Sequence, residues 1–293
     1  MERKSRIDAT GAIILIVFMA VLGLNQVAVK IVNDGIAPVF QAGLRSLAAT
    51  PVILAYCLWR KTPINLSWAI MLPGIATGLA FAFEFALLFE ALRLTTVARA
   101  SVFFYTMPFW VTVGAHFLIP GEKLTPIRII GLLLAGTGVA VALSNKNTQA
   151  GEFALWGDLM ALAAATGWAA IALIARTTKF STVTPDLQLL YQLVVSAILL
   201  LPFALYLGDT FREPTPIHWV IFTAQVLLVV CIGFMTWFWV LSVYPASDMA
   251  SFSFLAPLFG VLFGWLVLGE QLTWTIVIAL VFVGIGIILV NRR

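Results

Sequence analysis

Four ionisable side chains interrupt the long apolar stretches of this 293-residue chain: Lys30, Arg45, Glu84 and Asp158. Charge in an apolar medium is costly and persists where it pairs or binds something. Arg45 follows Pro38 by seven residues, ~10 Å along a helix. Glu84 stands six residues, ~9 Å, before a helix end expected near residue 90, and Asp158 sits at a similar depth in a later helix. Lys30 closes the first helix on the same side, so two cations and two anions share one layer. Such a layer suits a charged gate, or a site that meets the carboxylate and ammonium of a zwitterion. Equally open is that the charges pair with one another to lock helices, or snorkel outward. The residues alone do not choose which acid faces Arg45.

Aromatic and polar groups add to the candidates. Phe81, Phe85 and Phe89 recur along one stretch, and Tyr105, Thr106, Pro108 and Trp110 along the next. Of the ten Trp, Trp110, Trp168, Trp237 and Trp239 lie away from the helix ends where indoles form interfacial belts. Trp237 and Trp239 cannot share a helix face, so one of them at most faces a cavity. Rings lining a cleft would hold flat or cationic cargo by stacking and cation–π contact. Asn25 and Gln26 place amides at mid-depth in the first helix, where an unpaired one would be expensive, while Ser251, Ser253 and Phe254 lead into Pro257. A proline in a helix frees a carbonyl and bends the axis, which makes Pro108 and Pro257 hinge candidates. Glu122 and Glu270 fall in tight turns and are expected to cap or orient the helices that follow. His116 and His218 stand alone, with no partner at metal-ligand spacing, so no metal or cofactor is expected.

These side chains are carried by a chain that is 62% hydrophobic and 10% charged. A soluble domain has roughly 25% charged residues, so a water-facing surface cannot be covered and a soluble enzyme is excluded. Ten apolar runs, broken by Pro, Gly and charge, fall near 11–32, 38–59, 67–90, 96–118, 125–144, 153–176, 185–207, 217–243, 247–268 and 273–291. The expected fold is therefore an all-α integral membrane protein with ten transmembrane helices. Connections on the side of the N-terminus hold eleven Lys and Arg, Arg60, Lys61, Lys123 and Arg176 among them; those opposite hold four, Arg93, Arg99, Lys146 and Arg212. The excess puts both termini in the cytoplasm. The net charge of +4 is spread too thinly for nucleic acid.

The chain is also written twice. Gly121-Glu122-Lys123-Leu124-Thr125 returns as Gly269-Glu270-Gln271-Leu272-Thr273 at an offset of 148, which also carries Gly136 and Gly138 to Gly284 and Gly286. Pro38, Gln41 and Arg45 match Pro185, Gln188 and Gln192 at 147, Pro51 matches Pro202, Pro108 matches Pro257, and Gly23 aligns with Gly167. Residues 1–147 and 148–293 are thus expected to form two five-helix units. The odd helix count inverts the second, as in transporters that alternate between two open states.

Two halves that each end in a proline-containing helix, a Gly-Glu-x-Leu-Thr turn and a Gly-rich helix resemble the drug/metabolite transporter superfamily, EamA type. Within it the chain looks most like bacterial amino-acid and metabolite exporters, closest to the YddG type that exports aromatic amino acids. The resemblance implies a secondary transporter of the bacterial inner membrane that moves small metabolites outward through a central cavity between the halves; the lipid bilayer surrounds it, and a homodimer is left open by the residues. Exporters of drug-like organic cations or other metabolites fit the same pattern. A small channel is the competing class, though no filter-like segment is evident.

Overall fold

The computed structural model describes residues 7–63, 67–144, 151–244 and 252–291. Their secondary structure is helical; among the described residues the only β pairing is an isolated bridge between Ile36 and Phe211. The α-helices are α1 (Ala9–Asn33), α2 (Pro38–Trp59), α3 (Trp68–Leu94), α4 (Val97–Phe104), α5 (Met107–Leu118), α6 (Pro126–Ser144), α7 (Ala154–Thr177), α8 (Pro185–Leu207), α9 (Pro216–Ala224), α10 (Phe234–Val243), α11 (Leu255–Leu268) and α12 (Trp274–Asn291). Eight helical stretches are long and apolar enough to cross a membrane, with α4–α5 counting as one and Pro216–Trp237 as another; α11 and α12 are apolar but shorter.

Local chemistry sets the boundaries. Asp8 caps α1 by accepting the Gly11 N–H at 2.9 Å and also accepts the Tyr244 hydroxyl at 2.7 Å. Proline opens α2, α8 and α9, where its missing N–H has no helical partner to lose. Gly208 and Gly269 end α8 and α11 at φ +71° and +66°, a left-handed turn that costs a residue with Cβ. Pro108 and Pro257 stand second in α5 and third in α11, so they start helices rather than bend them in the middle. The chain breaks between α4 and α5 at Tyr105–Thr106, and the Thr106 hydroxyl satisfies the Phe103 carbonyl at 2.6 Å. Between α9 and α10, residues Gln225–Gly233 are wound as a π-helix, a form usually confined to single bulges and found at functional sites.

Cross-links show which helix ends lie together. At the end where α1 begins, Thr62 donates to Asp186 and Arg176 pairs with Glu122. At the opposite, far end, Lys30 meets Glu270 and Thr95 donates to Asp158. Small residues permit the closest crossings. Added Cβ atoms on Gly131 and Gly286 would each meet the other's carbonyl oxygen, at 2.8 and 2.7 Å, and one on Gly138 would meet the Ala279 carbonyl at 2.8 Å. Gly23 of α1 lies against the Gly260 backbone of α11, and Gly74 and Gly78 of α3 against Tyr191 and Val195 of α8. These glycines therefore serve contacts within the chain.

Candidate functional site

Where the helix packing parts, a cavity of about 540 Å3 opens between α1, α2, α3, α4–α5 and α7 on one hand and α8 and the π-helix–α10 stretch on the other. That volume suits a small metabolite. Among the residues lining it are Asn25, Gln26, Arg45, Phe81, Glu84, Phe85, Tyr105, Pro108, Trp168 and Trp237. Trp110 and Phe254, expected in the same wall, are not in the lining, and Ser251 lies outside the described residues; Ser253 takes the place beside it.

Arg45 and Glu84 are the charged groups of the lining, 2% and 3% exposed. Helix α3 continues to Leu94, so Glu84 is ten residues, ~15 Å, from the far end, deeper than its sequence context suggested. Among the described residues neither forms an ion pair within 4.0 Å, and the Arg45 Nε has no hydrogen-bond partner. What Arg45 does have is aromatic: its guanidinium carbon lies 4.2 Å from the Phe85 ring centre and 4.7 Å from that of Phe89. Cation–π contact offsets part of its desolvation, about 2 kcal/mol at a dry site. An acidic and a basic side chain thus line one cavity with no ion pair within 4.0 Å between them.

Amides and rings complete the wall. Gln26 accepts the Ser101 hydroxyl at 2.6 Å, while among the described residues neither its Nε2 nor the Asn25 Oδ1 has a hydrogen-bond partner. Trp168 stacks on Phe104 with centroids 5.0 Å apart, and Tyr105 meets its edge. Trp237 stacks on Phe18 at 5.5 Å, whereas Trp239, two residues on, is 37% exposed. One of that pair faces the cavity, as their spacing requires.

The other two charges of the expected layer lie elsewhere. Asp158 belongs to Arg99, whose Nε donates to both carboxylate oxygens at 3.1 and 3.2 Å, with Thr95 adding a third bond at 2.9 Å. Arg99 reads as a loop cation, yet it sits buried in the first turn of α4; Thr96, which caps that helix by accepting the Arg99 N–H, was the available signal. Lys30 pairs with Glu270 at 3.4 Å. Glu270 does not cap the helix that follows it. Its two oxygens accept the N–H groups of Val97 and Ala98, at 2.7 and 3.0 Å, and so cap α4 from the other half of the chain. With Asn33 donating to the Phe89 carbonyl, these contacts tie α1, α3, α4, α7 and the end of α11 together at the far end. At the end where α1 begins, the equivalent turn residue, Glu122, pairs with Arg176 on the surface, the two being 36% and 46% exposed. Pro185 and Gln188, from the first turn of α8, line the cavity at that near end.

The histidines have local duties: His116 Nδ1 accepts the Leu124 N–H and His218 completes the cap of α9. No cluster suited to a metal ion occurs among the described residues. Sequence reasoning overlooked Gln192, Phe104, Phe18 and Phe234, all in the lining. Gln192 had been aligned with Arg45 by the repeat, and that correspondence was the signal for it.

The profile of the EamA-like transporter family matches the chain twice, over residues 9–144 and 155–292. The chain is 28% identical over 277 residues to the uncharacterized transporter YoaV of Bacillus subtilis, covering 90% of this chain and 91% of that protein. It is 28% identical over 282 residues to a probable amino-acid metabolite efflux pump of Escherichia coli, covering 92% and 89%. A crystal structure of another protein superposes on 96% of this chain and 97% of its own with a TM-score of 0.68 at 21% identity, a likeness of fold. With its apolar helices, its interior cavity and a family profile met twice along its length, the chain belongs to the EamA-like transporter family and is a multi-pass membrane transporter of small molecules.

Proposed function

We propose that this protein is a secondary transporter that exports amino acids, aromatic ones included, across the bacterial cytoplasmic membrane by alternating access. The observation that carries the reading is the pair of buried, unbridged charges, Arg45 and Glu84, facing one cavity. A zwitterion supplies a carboxylate for the guanidinium and an ammonium for the carboxylate, and so matches the two charged groups of the lining. The rings of Trp168, Tyr105, Phe81 and Phe85 give the side chain of the cargo an apolar and stackable surface. An organic cation would satisfy Glu84 and the rings but would meet Arg45 as a like charge, so it fits less well.

In this reading the ten apolar helical stretches all span the bilayer, as two inverted five-helix repeats over residues 1–147 and 148–293. The near end, richer in Lys and Arg, faces the cytoplasm with both termini. The cavity is then open inward, and the contacts of Glu270 and Arg99 close the outside. The efflux named for the Escherichia coli relative supports the outward direction. The chain works as a carrier and performs no chemistry on its cargo. Counterflow tests this directly: proteoliposomes loaded with unlabelled phenylalanine should accumulate external labelled phenylalanine above equilibrium. Equilibration without overshoot would indicate a pore and overturn the carrier reading.

A further inference from the structure

The two halves line the cavity with equivalent positions but unequal chemistry. Phe81, Phe85 and Leu88 of α3 all face it, and so do Val230, Phe234 and Trp237, each 149 residues later. Arg45 and Gln192, matched at 147, also both face it. Shape is therefore shared between the halves, whereas charge is not. The counterpart of Glu84 at the same offset of 149 is Gly233, and that of Arg45 is the neutral Gln192. Asn25 and Gln26 correspond to Ala169 and Ala170 at the offset of 144 that joins Gly23 to Gly167. The three cavity-lining atoms without a partner, Asn25 Oδ1, Gln26 Nε2 and Arg45 Nε, thus all come from the first half.

This one-sided polarity is also graded along the cavity. Arg45 and Gln26 are seven residues from the far ends of their helices, ~10 Å, and Glu84 is ten, ~15 Å. Phe234 and Trp237 are nine and six residues from the near end of α10, ~13 and ~9 Å, and Phe18 lies nine residues into α1 from the same end. The far part thus holds both charges of the lining, beside Phe85 and Phe104, and the near part carries Phe18, Phe234 and Trp237 together with the neutral Gln188 and Gln192.

We propose that cargo is held in one orientation, its charged headgroup at the far end against Arg45 and Glu84 and its side chain at the near end against Phe234 and Trp237. The first half then reads the headgroup and the near-end rings read side-chain size. The proposal rests on the amino-acid reading above and goes beyond it. Cargo enters the near end head first. Once the near end closes and the far end opens, the headgroup already lies at the exit, so the molecule leaves head first without turning round.

The test is competition against labelled phenylalanine counterflow in proteoliposomes. Phenethylamine and 3-phenylpropionate probe the headgroup; alanine and tryptophan probe the side chain. Loss of a charged hydrogen-bond partner should cost about tenfold or more in discrimination. Arg45→Gln is expected to lose most of the preference for phenylalanine over phenethylamine, and Glu84→Gln that over 3-phenylpropionate. Both should keep the wild-type order of alanine, phenylalanine and tryptophan. Trp237→Ala should change that order and leave the headgroup preferences in place. Arg45→Lys, which keeps the charge, should restore part of the preference lost in Arg45→Gln and serves where the neutral variant fails to insert. The orientation is overturned if Trp237→Ala shifts headgroup preference as much as side-chain order, or if the Arg45 and Glu84 variants reorder the side chains instead. Absence of phenylalanine counterflow in the wild type would instead remove the amino-acid reading, and the orientation with it.

Discussion

Replacing Glu270 with Gln should unlock the far end of the bundle. The Glu270 carboxylate is 7% exposed, accepts two backbone N–H groups at the start of α4, and holds Lys30 at 3.4 Å. Gln retains one acceptor oxygen and turns an NH2 donor toward the second N–H. The loss is one charge-assisted hydrogen bond, about 1.5–3 kcal/mol, and the favourable charge at a helix N-terminus, about 0.3–1 kcal/mol. Lys30 is 28% exposed, so its pairing contributes roughly 1 kcal/mol at most. The sum, about 2–5 kcal/mol, stabilises this arrangement of the far end, and in the proposed alternating-access cycle a far-open form would lack it. The ratio of far-closed to far-open molecules should fall by about 30-fold to a few thousand-fold. A single cysteine introduced as Leu88→Cys in the cavity lining, with Cys57 and Cys231 replaced by Ala, would report it. A membrane-impermeant maleimide supplied from the far side should label the Glu270→Gln protein much faster than its parent. A labelling rate within twofold of the parent would refute the assignment of Glu270 as the closure.

Other perturbations have equally definite outcomes. Glu122→Gln removes the repeat-equivalent carboxylate, but its pair with Arg176 is exposed, so in the same assay the change should stay below about 1 kcal/mol and run in the opposite direction. Asp158→Asn leaves the buried Arg99 cation uncompensated and should lower the stability of the detergent-solubilised protein by about 3–5 kcal/mol, whereas the joint replacement Arg99→Met with Asp158→Leu should cost much less; thermal unfolding of both compares them. Gly286→Leu forces a side chain against the Gly131 carbonyl and Ala135 and should cost about 1–3 kcal/mol or more, while Gly284→Leu, with nothing within 4 Å of its added Cβ, should leave the melting temperature nearly unchanged.

Much of this arrangement was legible in the chain because the bilayer imposes a coarse rule. Apolar length predicts helices, and the helix bounds from Pro38, Pro185 and Gly269 agree with those expected to within a few residues. The doubled Gly-Glu-x-Leu-Thr motif was visible for the same reason, since turns between helices have few solutions. Pairing was not legible. Asp158 could have faced Arg45 or Arg99, and the choice depends on the rotation of α2, α4 and α7 about their axes, which a helix with apolar residues all round does not encode. The reach of Glu270 into the other half of the chain was hidden for a related reason: a cap is normally sought on the helix that follows. The π-helix over Gln225–Gly233 carries no local signal in the sequence.

The seam between α6 and α12 has a consequence of another kind. Gly131 touches Gly286, and Gly138 touches Ala279. At the offset of 148, Gly131 is the counterpart of Ala279 and Gly138 that of Gly286, so the two contacts are one contact seen from both sides. Subunits of a homodimer meet in this way across a two-fold axis, each residue answered by the partner of its own equivalent. A surface of that sort is self-complementary and can assemble without a covalent join. Residues 1–147 and 148–293, expressed as separate polypeptides, should therefore find each other in the membrane and restore transport, as two subunits would.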